Sequence, residues 1–218
     1  MLMSLYDSLD TGDLLLFHGT AKVSCCIEFW TKSNYSHIGM VLKDPTYIQS
    51  DLTGLYVWQS GKEGFPEVED HKIFDGVQIS PLDKVINDYG IGNVYVRKLI
   101  LNTPLDIKLL TEIHHEIHHH KYDRNIMDWL MAGIYEVENW TEIDNNDKKI
   151  LLKNKKIPVP KTVWCSALIG YIYYRLNLIS NPNWKLLSPQ DWSSKNSNIL
   201  GLKNCLLIKD MKLKKILK

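Results

Sequence analysis

The chain has 218 residues, 44% hydrophobic and 23% charged, which suits one folded unit over residues 1–218 and excludes disordered, collagen-like and fibrous classes. Lys plus Arg (26) nearly balances Asp plus Glu (25), leaving a net charge of +1. No global field gathers DNA or RNA, so nucleic acid is excluded as the default partner.

In chain order, a short N-terminal helix is expected first. Thr11-Gly12-Asp13 then turns into the apolar strand Leu14 to Phe17. Asn34 to Leu42 reads as a second strand, whose alternation puts His37, Gly39 and Val41 on one face. Leu55 to Ser60 follows, then a polar loop from Gly61 to Asp75, a strand at Val77 to Ile79, a helix at Leu82 to Tyr89 and a strand at Val94 to Leu101. Beyond these strands the period changes. Pro104 to His120 and Asp128 to Val137 read as helices, and 138–160 as a polar insertion. Lys161 to Leu178 forms an apolar helix, Ser188-Pro189-Gln190-Asp191 has a helix-start signature, and Asn204 to Ile208 is a last strand. A basic tail occupies 209–218.

The thiol of Cys165 falls in the first turn of the apolar helix, on the stripe that continues through Ile169, Ile172 and Leu176. Unsatisfied N–H groups at a helix start favour an anion, so they can lower a thiol's pKa and hold a developing oxyanion. A small buried cysteine packing like alanine is the plain alternative. His37 is the candidate base, with Gly39 leaving space beside its ring and its strand packing against helix residues such as Cys165; a hydrogen-bonded core histidine is the plain alternative. Gln59, near the end of the following strand, can accept the other ring N–H through its amide oxygen and fix the tautomer.

Several short runs occur in order: Thr11-Gly12-Asp13-Leu14-Leu15, Tyr35-Ser36-His37-Ile38-Gly39-Met40, Tyr56-Val57-Trp58-Gln59-Ser60, Lys121-Tyr122-Asp123, Trp164-Cys165-Ser166-Ala167-Leu168 and Leu187-Ser188-Pro189-Gln190-Asp191. Across residues 11 to 192 this set resembles the circularly permuted NlpC-type papain-fold hydrolases, the YaeF/YiiX-like relatives of lecithin retinol acyltransferase. The resemblance implies an α+β fold with a mostly antiparallel sheet against helices, Cys165 as nucleophile, His37 as general base and Gln59 as the third polar residue. Trp164, Ser166, Tyr122 and Asp123 are then cleft candidates, with packing as the alternative for Tyr122 and Asp123. The third position is usually a carboxylate in that group, and a neutral Gln59 cannot stabilise imidazolium by charge. The implied activity is that of a cysteine peptidase, amidase or acyltransferase working through a thioacyl enzyme on a peptide, isopeptide or acyl-lipid substrate, without a cofactor. A non-catalytic binding or structural protein keeping the fold is the alternative.

Five of the eight histidines crowd into 114–120, and His115-Glu116-Ile117-His118-His119 satisfies the H-E-x-x-H spacing of a zinc hydrolase. With Leu109, Ile113 and Ile117 as the apolar stripe, His115 and His119 should instead face water, and Glu136, Glu138 and Glu142 offer no identified third ligand; a solvated polar face is the expectation, with casual surface metal binding as the alternative. The Lys-rich end, amphipathic through Met211, Leu213, Ile216 and Leu217, suits contact with an anionic lipid surface; a solvated tail is the alternative. Four cysteines, Cys25, Cys26, Cys165 and Cys205, lack C-x-x-C spacing. With no secretory signal or transmembrane run, the expected setting is intracellular and cytoplasmic, or a virion if the source is a large DNA virus.

Overall fold

The computed structural model describes residues 5–19, 34–123 and 159–214. The expected helix at 128–137, nearly all of the insertion at 138–160, the acidic candidates Glu136, Glu138 and Glu142, and Cys25 and Cys26 lie outside the described residues.

The architecture is α+β. A six-stranded sheet is built from β1 (Leu14–Phe17), β2 (His37–Lys43), β3 (Leu55–Lys62), β4 (Asp75–Pro81), β5 (Val94–Arg97) and β8 (Met211–Lys212), in the order β4-β3-β2-β1-β5-β8 with every pair antiparallel. A second small sheet pairs β6 (Leu99–Leu101) with β7 (Cys205–Leu207). Three α-helices are described: α1 (Leu82–Tyr89), α2 (Ile107–Ile117) and α3 (Cys165–Arg175).

Strand β1 lies inside the sheet and is covered on both faces, which is why its run of Leu14, Leu15, Leu16 and Phe17 is wholly buried instead of alternating. One face, with Leu15, Phe17, Val41 and Val57, packs against Leu82, Val85 and Ile86 of α1. The other, with Leu14, Leu16, Ile38, Met40 and Trp58, packs against Ile113 and Ile117 of α2 and the buried length of α3.

Several boundaries differ from the sequence reading, each for a tertiary reason. The strand expected from Val94 to Leu101 breaks at Lys98, where buried Asp13 accepts a hydrogen bond from the Leu99 N–H (2.8 Å) and pairs with the Lys98 ammonium. The apolar helix starts at Cys165, not Lys161, because Lys121 and Thr162 form a parallel bridge that keeps the preceding segment extended. Residues 5–8 form turns in place of the expected N-terminal helix. The start of the basic tail is also structured: Met211–Lys212 pairs with β5, and Leu213 is buried in the α1-side core.

Candidate functional site

His37 is the first residue of β2, and its ring is buried against the sheet face that α1 covers. Its Nε2 lies 2.8 Å from Gln59 Oε1, so Nε2–H donates to the amide and the Nδ1 lone pair is left as the basic position. The Gln59 amide is oriented by its other end, where Nε2 donates to Ser80 Oγ at 3.2 Å. Burial without a countercharge pushes the His37 pKa down to about 4, opposed only by the bond to Gln59. His37 is therefore a neutral imidazole at neutral pH.

Sequence reasoning missed Glu63. Residues 59, 61 and 63 project to one face of the extended chain, and a methyl group placed on Gly61 would stand 3.4 Å from His37 Cε1 and 4.0 Å from Glu63 Oε1. Gly61 is thus the glycine that accommodates the ring. The space at Gly39, expected to serve this purpose, is taken by Val57, whose Cγ1 would lie 2.4 Å from an added Cβ. Glu63 is buried and accepts a hydrogen bond from the Gln59 side chain; burial and the nearby Asp88 charge push its pKa up to about 7. A carboxyl group therefore stands behind the neutral amide. The available signal was the Gln-x-Gly-x-Glu alternation across the end of β3.

Tyr89, the last residue of α1, was also missed. Its ring stacks on His37 with centroids 5.9 Å apart and planes 10° from parallel, and Phe17 packs against both rings. The Tyr89 phenol is pushed upward by burial and by the nearby negative forms of Glu63 and Cys165. Helical periodicity explains the apolar positions of α1, but gives no reason to single out its terminal tyrosine.

Cys165 comes from the opposite layer. The expectation that the His37 face packs directly on the cysteine helix is corrected by the fold: that face meets α1, while α3 packs on Ile38 and Met40. The two layers meet where β2 begins. The Cys165 sulfur lies within reach of the backbone N–H of Ile38, the residue after His37, and of the Cys165 and Ser166 N–H groups. Trp164 occupies the N-cap position and no side chain caps the helix, so the first-turn donors are not consumed by a local cap. Burial nevertheless dominates and pushes the thiol pKa up to about 11, with those N–H groups acting in the opposite direction. This corrects the expectation of a thiol lowered by its helix start.

The remaining cleft candidates separate into two supports and two neighbours of Cys165. Ser60 Oγ donates to the Val163 carbonyl at 2.6 Å, tying β3 to the segment that delivers the cysteine. Ser166 Oγ donates to the Leu187 carbonyl and Thr162 Oγ1 to Asp123 (2.8 Å), so both Ser166 and Asp123 brace neighbouring segments. Tyr122 faces the site: its phenol is pushed upward by burial, then by the proximity of Cys165 and Tyr89. Trp164 is buried next to Cys165 in the chain.

No family model and no curated protein matches the chain. Among solved structures, the metalloprotein YiiX from Escherichia coli O157:H7 aligns with a TM-score of 0.42 and 15% sequence identity, over 91% of this chain and 88% of YiiX.

The H-E-x-x-H reading does not survive the geometry. That chemistry needs both imidazoles on successive turns of one helical face, but α2 ends at Ile117 and His119 adopts a left-handed φ of 58°. Glu116 is pinned by the Arg175 guanidinium and accepts from Tyr171 Oη at 2.8 Å, so it is not a free base. His115 is exposed, as its helical angle predicts, but His119, expected to face water with it, leaves the helix and is half-buried against Glu67 and Asp70, and His114 is buried.

Proposed function

We propose that this chain is a thiol-dependent hydrolase or acyltransferase with a permuted papain-like arrangement, acting on an amide or ester carbonyl, with amide cleavage the favoured reaction. Cys165 is the nucleophile, His37 the general base and Gln59 the residue that fixes its tautomer. The observation that carries this reading is the meeting at the start of β2: a helix-start thiol against the peptide after His37, and His37 bonded to Gln59.

The direction of both pKa shifts specifies how such a site works. With the Cys165 thiol raised to about 11 and the His37 imidazole lowered to about 4, both groups rest neutral, not as thiolate and imidazolium. The Cys165 proton therefore passes to His37 Nδ1 as the sulfur–carbon bond forms, in general-base fashion. The uncapped N–H groups at the start of α3 are the candidate donors to the oxyanion. His37 returns the proton to the departing amine or alcohol when the carbon–nitrogen or carbon–oxygen bond breaks. Water, activated by the same imidazole, or another acyl acceptor then releases the acyl group from sulfur. The transient imidazolium is steadied through the Gln59 amide, behind which Glu63 becomes a negative charge as it ionises. The test compares wild type and Cys165→Ala on a panel of amide, ester and thioester substrates. Turnover confined to wild type is expected; full turnover in Cys165→Ala overturns the mechanism.

A further inference from the structure

The histidine-rich end of α2 meets the loop between β3 and β4 in a way the catalytic proposal does not use. Glu67, buried at the base of that loop, accepts the Glu69 N–H at 2.9 Å and also the Asp70 N–H, which shapes a tight turn. The turn directs Glu69 and Asp70 toward the helix end. His114 Nε2 lies 3.0 Å from Glu69 Oε2, and His118 Nδ1 lies 3.2 Å from the same oxygen. His119 continues the group, with Nδ1 3.4 Å from Asp70 Oδ2 and its ring stacked on His118 at 3.7 Å between centroids.

Two features distinguish this group from an ordinary solvated polar face. First, the side chain of His114 is 3% exposed and that of Glu69 14% exposed. Second, His118 Nδ1 and His119 Nε2 are buried without a hydrogen bond although carboxylate oxygens lie close, as is His114 Nδ1. His114 Nε2 is hydrogen-bonded to Glu69 Oε2, but His118 Nδ1 approaches the same oxygen, and His119 Nε2 approaches Glu67, out of line for N–H donation; their lone pairs converge on space shared with the carboxylates, which is the requirement of a cation. The spacing fits a specific class. Ligands about 2.0–2.1 Å from zinc in a tetrahedron are about 3.3 Å apart; Glu69 Oε2 lies 3.0 Å from His114 Nε2 and 3.2 Å from His118 Nδ1, and one ligand atom from each of the three residues lies within 4.8 Å of the others.

We propose that Glu69, His114 and His118 form a binding site for a divalent transition-metal ion of the zinc class, with the Asp70–His119 pair bordering it. Two imidazoles and one carboxylate suit zinc and leave a fourth position for water. Bound there, the ion clips the β3–β4 loop onto the end of α2. This ligand set differs from the H-E-x-x-H pattern in using His114 in place of His115 and a loop carboxylate in place of Glu116, and it does not depend on the thiol chemistry.

The test is zinc titration of the chelator-treated full chain against a chromophoric competitor, with cobalt(II) absorption reporting coordination. One equivalent should bind with sub-micromolar affinity and give the spectrum of a four-coordinate site. Glu69→Gln and His118→Ala should each weaken binding by at least ~100-fold, and His115→Ala, on the same helix but exposed, should leave it unchanged. Circular dichroism confirms that the variants remain folded, and partly exposed His118 supplies the variant best placed to do so. Failure of the folded wild type to bind, retention of affinity in both ligand variants, or an equal loss in His115→Ala overturns the site.

Discussion

His37 and the histidines at the end of α2 present the same side chain in opposite surroundings. His37 is a single imidazole enclosed by Phe17 and Tyr89 and bonded to a neutral amide. His114, His118 and His119 face three carboxylates, Glu67, Glu69 and Asp70, from the end of one helix. The difference is instructive: apolar walls and one amide suit a base that must be neutral before it takes a proton, whereas several lone pairs around carboxylates suit a positive ion. Density of histidine in the sequence marks the second region, while the first is marked only by strand alternation.

The largest expected effect that separates the two regions is on turnover. His37→Ala should lower it by ~100- to 10,000-fold, the usual contribution of a general base, while His118→Ala, which removes a proposed metal ligand, should leave the chemistry of the thiol site in place. Comparable losses in both would merge the two regions into one site and break the comparison.

A second effect is read in stability against pH. His37 has its pKa lowered from 6.5 to about 4, so its contribution is fully present above pH 6.5 and lost as pH falls toward 4. Glu63 has its pKa raised from 4.5 to about 7, so its contribution is lost as pH rises from 4.5 through 7. The two slopes oppose each other between pH 4.5 and 6.5. Glu63→Gln should expose the His37 slope, with denaturant stability falling by up to roughly 3 kcal/mol between pH 6.5 and 4 relative to its neutral value, while wild type stays flatter. Superimposable profiles would remove Glu63 from the account.

The smallest effect sharpens the part played by Gln59. Gln59→Ala should reduce turnover by ~10-fold or more, and Gln59→Glu should preserve or increase it because a carboxylate also orients the ring and adds charge. Equal rates in all three proteins would refute an orienting role.

Much of the placement of strands along the chain was legible in the sequence because hydrophobic runs and alternation report burial directly. Leu14 to Phe17, the core of the Asn34 to Leu42 run and the α1 segment announce themselves in this way. The pairing of His37 with Gln59 was also accessible, since both are polar residues on otherwise apolar strands. What was hidden depends on tertiary closure. The end of α2 before His118 has no Gly or Pro to mark it, and is fixed by the Val77 N–H donating to the His120 carbonyl (2.8 Å) and by His120 Nδ1 against the Pro160 carbonyl (2.7 Å). The sheet face covered by α1, the burial of Glu63 and the pairing of Met211 with Val96 likewise rest on contacts distant in sequence. The raised thiol pKa follows from how deeply α3 is packed, which a helix-start argument does not register.

The central claim is most directly tested by trapping the acyl intermediate. Wild-type protein and Cys165→Ala are incubated with an activated acyl ester, quenched in acid and mapped by peptide mass spectrometry. The account predicts a single acyl adduct on Cys165, formed and discharged in wild type and slowed in His37→Ala. Turnover with no adduct at Cys165, or undiminished turnover in Cys165→Ala, would contradict it.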